Sequence, residues 1–197
     1  MSAINPPATL RSAVLPVGRL MTAVLLVAGV GVHAAAAQLA VPLPFTPVPI
    51  TLQSLSVLLL AAAYGPRLAA ATFASYLGVG LLGAPVFSLG RGGLAIFSTP
   101  TAGYLLGMLA ATVVVGYLAR RSWDRHPVSM VAAMTIGTAL VYAGGVAWWL
   151  VLGFDLTTAL SQGVLPFLPG DAVKVALAAG LLPGAWALTR KLQGSQP

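Results

Sequence analysis

Apolar residues run along this chain in six long blocks, without the regular polar interruption of a half-wet helix or strand. The blocks extend over about Arg19 to Leu39, Thr51 to Tyr64, Arg67 to Leu82, Thr101 to Ala119, Ser129 to Leu152 and Asp171 to Leu188. Segments that are apolar on every side need lipid or a large interior as their solvent. Gly and Pro punctuate the gaps as breakers: Pro42, Pro44, Pro47 and Pro49, then Gly65-Pro66, Gly83 to Pro100, Pro127, and finally Pro166, Pro169 and Gly170. The pattern predicts an all-α integral membrane protein with six transmembrane helices, in one transmembrane domain over residues 1–197. The second and third blocks are shorter than a full span, so their flanks extend them or they tilt around a cavity. Small residues at Ala34 to Ala37, Ala61 to Ala63 and Ala69 to Ala71 allow close helix contact where lipid supplies no hydrophobic drive.

Composition sharpens this. Of 197 residues, 58% are hydrophobic and 7% charged, whereas a soluble chain runs near a quarter charged. Too little polar material remains to coat a water-facing surface, and the length allows about five to seven spans with no soluble domain of ordinary size.

The formal net charge of +7 comes from ten Lys and Arg against three Asp. In a soluble protein such an excess suggests nucleic acid. In a membrane chain it marks cytoplasmic loops, and no nucleic-acid partner is expected. With the N-terminus inside, the inner connections hold Arg11, Arg19, Arg67, Arg120, Arg121, Arg125, Arg190 and Lys191, eight of the ten cations. Both termini are therefore expected to be cytoplasmic, in a multi-pass protein of the cytoplasmic membrane. Arg11 and Arg19 followed by an apolar run and Ala35-Ala36-Ala37 also fit a cleavable signal peptide. The apolar run continues through the alanines, which favours an uncleaved first helix.

The outer side keeps only Arg91 and Lys174 as cations, with Asp155 and Asp171. Lys174 lies in an apolar block three residues after Asp171, so both share one helical face. Pro169-Gly170 makes Asp171 a helix N-cap or first-turn residue, favoured by the helix dipole. An intrahelical pair that neutralises itself would explain them, but ionisable groups at membrane depth usually face a cavity or pathway. Arg91 stands among Gly90, Gly92 and Gly93, glycines that permit tight turns and close approach of a ligand. This stretch is no P-loop, because it lacks the Lys-Ser/Thr pair. Arg91, Lys174 and Asp171 together suggest an outer pocket for a small ligand with an anionic end and hydrogen-bonding groups. Four prolines between Pro42 and Pro49 stiffen an extended connector, read either as a plain link or, with Phe45 and Gln53 poised beside an apolar cavity, as a lid.

Catalysis finds little support. His33 lies within the first block and His126 before Pro127, neither near a second metal ligand, and no Glu is present. No metal, cofactor or catalytic residue is expected, and the lack of cysteine excludes disulfides and thiol chemistry. Without an ATP-binding motif, active transport would draw on another protein or an ion gradient.

Several stretches resemble BioY, the biotin-specific substrate-binding (S) component of energy-coupling factor (ECF) transporters. They are Pro44 to Gln53, Tyr64 to Arg67, Gly83 to Phe87, Gly92-Gly93, Pro100 to Tyr104 and Pro166 to Lys174, in family order. The resemblance implies a six-helix S-component fold that binds biotin near the outer face, under the loop between the first two helices. It assigns Asp171 and Lys174 to polar groups of biotin, with Ser88 to Gly93 and the Gln53 region completing the pocket. The candidate substrate-binding set is Asp171, Lys174, Arg91, Gly92, Gly93, Ser88, Gln53, Thr51, Tyr76 and Tyr142. Pro44, Phe45, Thr46 and Pro47 form the candidate lid. Arg91 as carboxylate partner rests on its residues alone, and Ala102 stands where the family commonly has glycine. Besides biotin and membrane lipid, the implied partners are a membrane coupling protein (T component) and two cytoplasmic ATPases. Small residues four apart on the first helix, Gly31 and Ala35 or Ala36 and Ala40, would make the contact. The alternative is a stand-alone secondary transporter for biotin or another small carboxylated vitamin.

Overall fold

A computed structural model of the chain describes residues 9–15 and 18–193. A short helix α1 (Leu10–Val14) precedes α2 (Arg19–Gln38), which leads into a hairpin of β1 (Ala40–Leu43) and β2 (Thr46–Thr51). Helices α3 (Gln53–Tyr64), α4 (Pro66–Leu81), α5 (Thr101–Arg120) and α6 (Pro127–Val151) follow, then the short α7 (Leu156–Gly163) and α8 (Leu168–Gln193). Each apolar block forms a helix, and α8 extends beyond both ends of its block. Among the described residues, four stretches are long and apolar enough to cross a membrane: Arg19–Gln38, Thr101–Arg120, Pro127–Val151 and Leu156–Leu192. Helices α3 and α4 fall short of that length, as their blocks implied.

The all-α expectation needs one correction. The proline-rich connector is an antiparallel hairpin pairing Ala40 with Thr51, Val41 with Ile50 and Leu43 with Thr46. In a two-stranded ladder alternate N–H groups point away from the partner, so Pro47 and Pro49 fit β2 without removing a ladder bond. Pro42 falls at the irregularity between Val41 and Leu43. Three of the four prolines that forbid a helix are therefore accommodated in strands, and Pro44 lies in the turn between them.

Two junctions set the rest of the path. Gly65 turns α3 into α4 with a φ of 79°, and Pro66 begins α4 where no amide donor is needed. Asp155 caps α7, accepting from the Thr158 amide at 2.9 Å and the Thr158 hydroxyl at 2.6 Å. Those bonds hold its carboxyl below the usual range.

Helix α5 is the centre of the bundle, buried from Thr101 to Leu105 and again along Gly107, Met108, Ala111, Thr112 and Val115. It meets α6 backbone to backbone. A Cβ on Gly107 would lie 2.6 Å from the Leu140 carbonyl, and one on Gly144 would lie 2.6 Å from the Gly103 carbonyl. Such contacts compensate for the missing hydrophobic drive between helices in lipid.

Helix α2 runs unbroken through Ala34–Ala37 on the rim, burying only Gly29, His33 and Ala37. Leu20, Val24, Val27 and Val32 face outward. Gly31 and Ala35 lie on this exposed side, whereas Ala40 belongs to β1 and leaves Ala36 without a helical partner four residues on. Inward, the His33 ring meets Phe73 edge-on at 5.2 Å, and Tyr76 meets Phe87 edge-on at 5.7 Å.

Candidate functional site

A cleft opens at the end of the bundle where the hairpin returns and α3, α5 and α8 begin. Its empty space, counted out to the open mouth, is about 520 Å³. One wall is apolar, from Val48 on β2, Leu105 and Met108 on α5, Val141 on α6, and Phe167. Tyr104 joins that wall and is fixed by donating its hydroxyl hydrogen to the Gly163 carbonyl at 2.7 Å.

The opposite side carries the charge. Asp171 stands in the first turn of α8, where the helix dipole favours a carboxylate, though not at the N-cap. One turn on, Lys174 Nζ lies 2.7 Å from Asp171 Oδ1 and donates to Ser54 Oγ on α3 at 2.9 Å. From α6, the Tyr142 hydroxyl donates to Asp171 Oδ2 at 2.5 Å. The Lys174 and Asp171 side chains are only 14% and 13% exposed. Little solvent screens the pair, and removing either member would leave a costly lone charge.

Three more polar groups face the same cleft without a protein partner. Gln53 Nε2, Ser88 Oγ and Thr101 Oγ1 are buried and unpaired. Buried polar atoms are normally hydrogen-bonded. Three such orphans gather in this one cleft. Asp171 retains acceptor lone pairs and Lys174 a third donor, so the site offers both signs of hydrogen bonding against an apolar wall.

Ser88 is held by a loop that turns back on itself. Leu89 and Gly90 have φ values of 62° and 69°, and the Phe87 amide donates to the Arg91 carbonyl at 2.9 Å. Gln38, at the end of α2, clasps this loop. Its Nε2 donates to the Phe87 carbonyl at 3.0 Å, and its Oε1 accepts from the Gly90 amide at 3.0 Å. Deeper in, His33 Nδ1 and Ser56 Oγ are 3.0 Å apart, and Ser56 donates to the Gln53 carbonyl at 2.8 Å. Helix α2 does not line the cleft, yet it anchors two elements that do.

Of the residues singled out in the sequence, Thr51, Gln53, Ser88, Tyr142, Asp171 and Lys174 come together around the cleft. Arg91, Gly92, Gly93 and Tyr76 do not line it. Arg91 is half-buried in the loop. A Cβ on Gly92 would lie 2.8 Å from the Gly83 carbonyl, so this glycine lets the loop pack on the turn after α4. Gly93 has a φ of 81° and its amide donates to the Gly80 carbonyl at 2.7 Å. Tyr76 is fully buried and its hydroxyl donates to the Val86 carbonyl at 3.0 Å. Pro44, Phe45, Thr46 and Pro47 form the hairpin tip, and Val48 and Pro49 beyond them line the cleft. Ser54, Thr101 and Tyr104 went unselected. Thr101 and Tyr104 lie in the Pro100 to Tyr104 motif, while Ser54 beside Gln53 carries no signal of its own.

Among the described residues no group of His, Cys, Asp or Glu could hold a metal ion. A model of the BioY family matches residues 9–191. The chain belongs to the BioY family. The "Biotin transporter BioY" of Rhizobium etli is 40% identical over 147 residues, covering 71% of this chain and 78% of its own length. The BioY of Rhodobacter capsulatus is 40% identical over 148 residues, covering 69% and 77%, and that of Thermotoga maritima is 36% identical over 144, covering 71% and 81%. A crystal structure described as the S-component for biotin from an ECF-type ABC transporter has the same fold. Its TM-score is 0.72 at 24% identity, over 90% of this chain and 93% of that one.

Proposed function

We infer that this chain binds biotin and carries out its uptake across the cytoplasmic membrane as the substrate-specific component of an ECF transporter, not as an enzyme. The observation that carries the reading is the Asp171–Lys174 pair in a cleft with three unpaired polar groups, in a chain of the BioY family. Biotin presents a ureido ring with two N–H donors and a carbonyl, an apolar thioether ring and chain, and a carboxylate. Asp171 suits the ureido donors. Lys174, Gln53, Ser88 and Thr101 suit the carbonyl and the carboxylate, and Tyr104, Met108 and Phe167 suit the apolar part.

In this reading the six longer helices all cross the membrane, with α3 and α4 as short spans and both termini in the cytoplasm. The exposed face of α2 with Gly31 and Ala35 meets the coupling protein, which carries two ATPases. The hairpin walls the cleft with Val48, Pro49 and Thr51, and its Pro44 to Pro47 tip acts as the free end of a lid.

Calorimetry on protein purified without biotin tests the binding. Asp171→Ala and Lys174→Ala should each weaken it tenfold or more, since hydrogen bonds to charged groups contribute about 1.5–3 kcal/mol. Unchanged affinity in both variants would sink the site. Uptake into vesicles that contain the coupling module should require ATP. Equal uptake in vesicles of this chain alone would identify a stand-alone transporter instead.

A further inference from the structure

Two adjoining clefts open at the other end of the bundle. Thr101 begins α5 in the biotin cleft and Arg120 ends it, so its 20 residues separate the sites by about 30 Å at 1.5 Å per residue. One cleft is bordered by Arg11, Arg67 and Arg120 with Ser12, Thr22 and Tyr64. The other shares Arg11, Thr22 and Leu26 with it and adds Arg19. Four guanidinium groups thus come together from α1, α2, the start of α4 and the end of α5.

Among the described residues these cations have no protein counter-ion. No carboxylate lines either cleft. The chain has three acidic residues in all: Asp171 pairs with Lys174, Asp155 caps its own helix, and Asp124 accepts from Trp186. Among the described residues none of the four arginines forms an ion pair. Arg11 is also oriented, with Nη2 donating to Thr22 Oγ1 at 2.7 Å while its buried Nε has no partner. The lining is polar only in part. Leu26, Leu68 and Ala71 continue the first cleft along α2 and α4.

We propose that these clefts bind the phosphate of an anionic phospholipid, whose acyl chains lie along α2 and α4. A phosphodiester matches guanidinium forks and hydroxyl donors, and its tails match the apolar continuation. A free phosphate ester shares the headgroup chemistry but cannot use Leu26, Leu68 and Ala71. The proposal is independent of the biotin site.

Native mass spectrometry of the full chain, titrated with phosphatidylglycerol or phosphatidylcholine, tests it. The unaltered chain should retain phosphatidylglycerol at least tenfold more tightly. Each of Arg11→Gln, Arg67→Gln and Arg120→Gln should lose about fivefold of that preference. The pair Arg121→Gln and Arg190→Gln, also basic but outside both clefts, should keep it. Biotin binding by the same samples reports the fold. Lack of preference in the unaltered chain would overturn the proposal whatever the variants do, as would equal losses in the control pair. Displacement of the lipid by millimolar glycerol phosphate would also overturn it, assigning the site to a soluble ester.

Discussion

The ammonium of Lys174 lies 2.9 Å from Ser54 Oγ and 2.7 Å from Asp171 Oδ1, tying α8 to α3 across 120 residues of sequence. One cation thus acts as a strut between two walls of the cleft. Ser54→Ala should weaken biotin binding about fivefold, the worth of one ordinary hydrogen bond of about 1 kcal/mol. In a Lys174→Met background the same change should have almost no effect, because its partner is gone. Calorimetry on the four proteins of this cycle decides it, and additive losses would show that Ser54 acts without Lys174.

Gln38 should govern how long biotin stays bound. It contacts both sides of the loop that presents Ser88, yet lies outside the cleft. Gln38→Leu should raise the dissociation rate on the order of tenfold, as two hydrogen bonds worth about 1 kcal/mol each are lost, with a smaller change in association. Stopped-flow exchange measures both, and an unchanged dissociation rate would remove the latch.

Asp124 should make stability depend on pH. It is 1% exposed in the turn between α5 and α6, where it accepts from Trp186 Nε1 at 2.5 Å. Burial raises its carboxyl above the usual range. The folded state therefore holds its proton to higher pH than the unfolded state. This contribution is fully present below the unfolded pKa, about 3.9, and is lost as pH rises through the raised folded value. Asp124→Asn keeps an acceptor for Trp186 and should flatten that part of the melting profile. A profile as steep as that of the unaltered protein would count against Asp124.

Two glycines should behave oppositely. Gly107→Leu drives a side chain into the α6 backbone and should destabilise the chain by about 3 kcal/mol or more. Gly31 has nothing within 4 Å of its Cβ position, so Gly31→Leu should leave biotin binding intact while impairing ATP-driven uptake. Melting curves, calorimetry and vesicle uptake separate these effects, and full uptake by Gly31→Leu would remove this part of α2 from the coupling surface.

The helices were legible because lipid demands continuous apolar blocks, and Gly65-Pro66 marks its turn by residues that allow little else. Asp171 and Lys174 stood out as charges the orientation rule leaves unexplained. The hairpin was hidden because proline reads as a breaker, while its tolerance of outward strand positions depends on a partner strand that no local window shows. Arg91 lies off the cleft: glycines around a cation suggest ligand approach, but here Gly92 and Gly93 serve the packing of the loop. Ser54 acquires meaning only when α8 brings Lys174 beside it.

The prolines of the hairpin have a further effect. An isolated two-stranded sheet has two open edges, each able to recruit a strand from a neighbouring molecule. Pro47 and Pro49 occupy the outward-facing amide positions of β2, and Pro42 interrupts β1. Neither edge offers an unbroken row of donors, so the hairpin resists strand exchange between crowded copies and stays a private part of each chain.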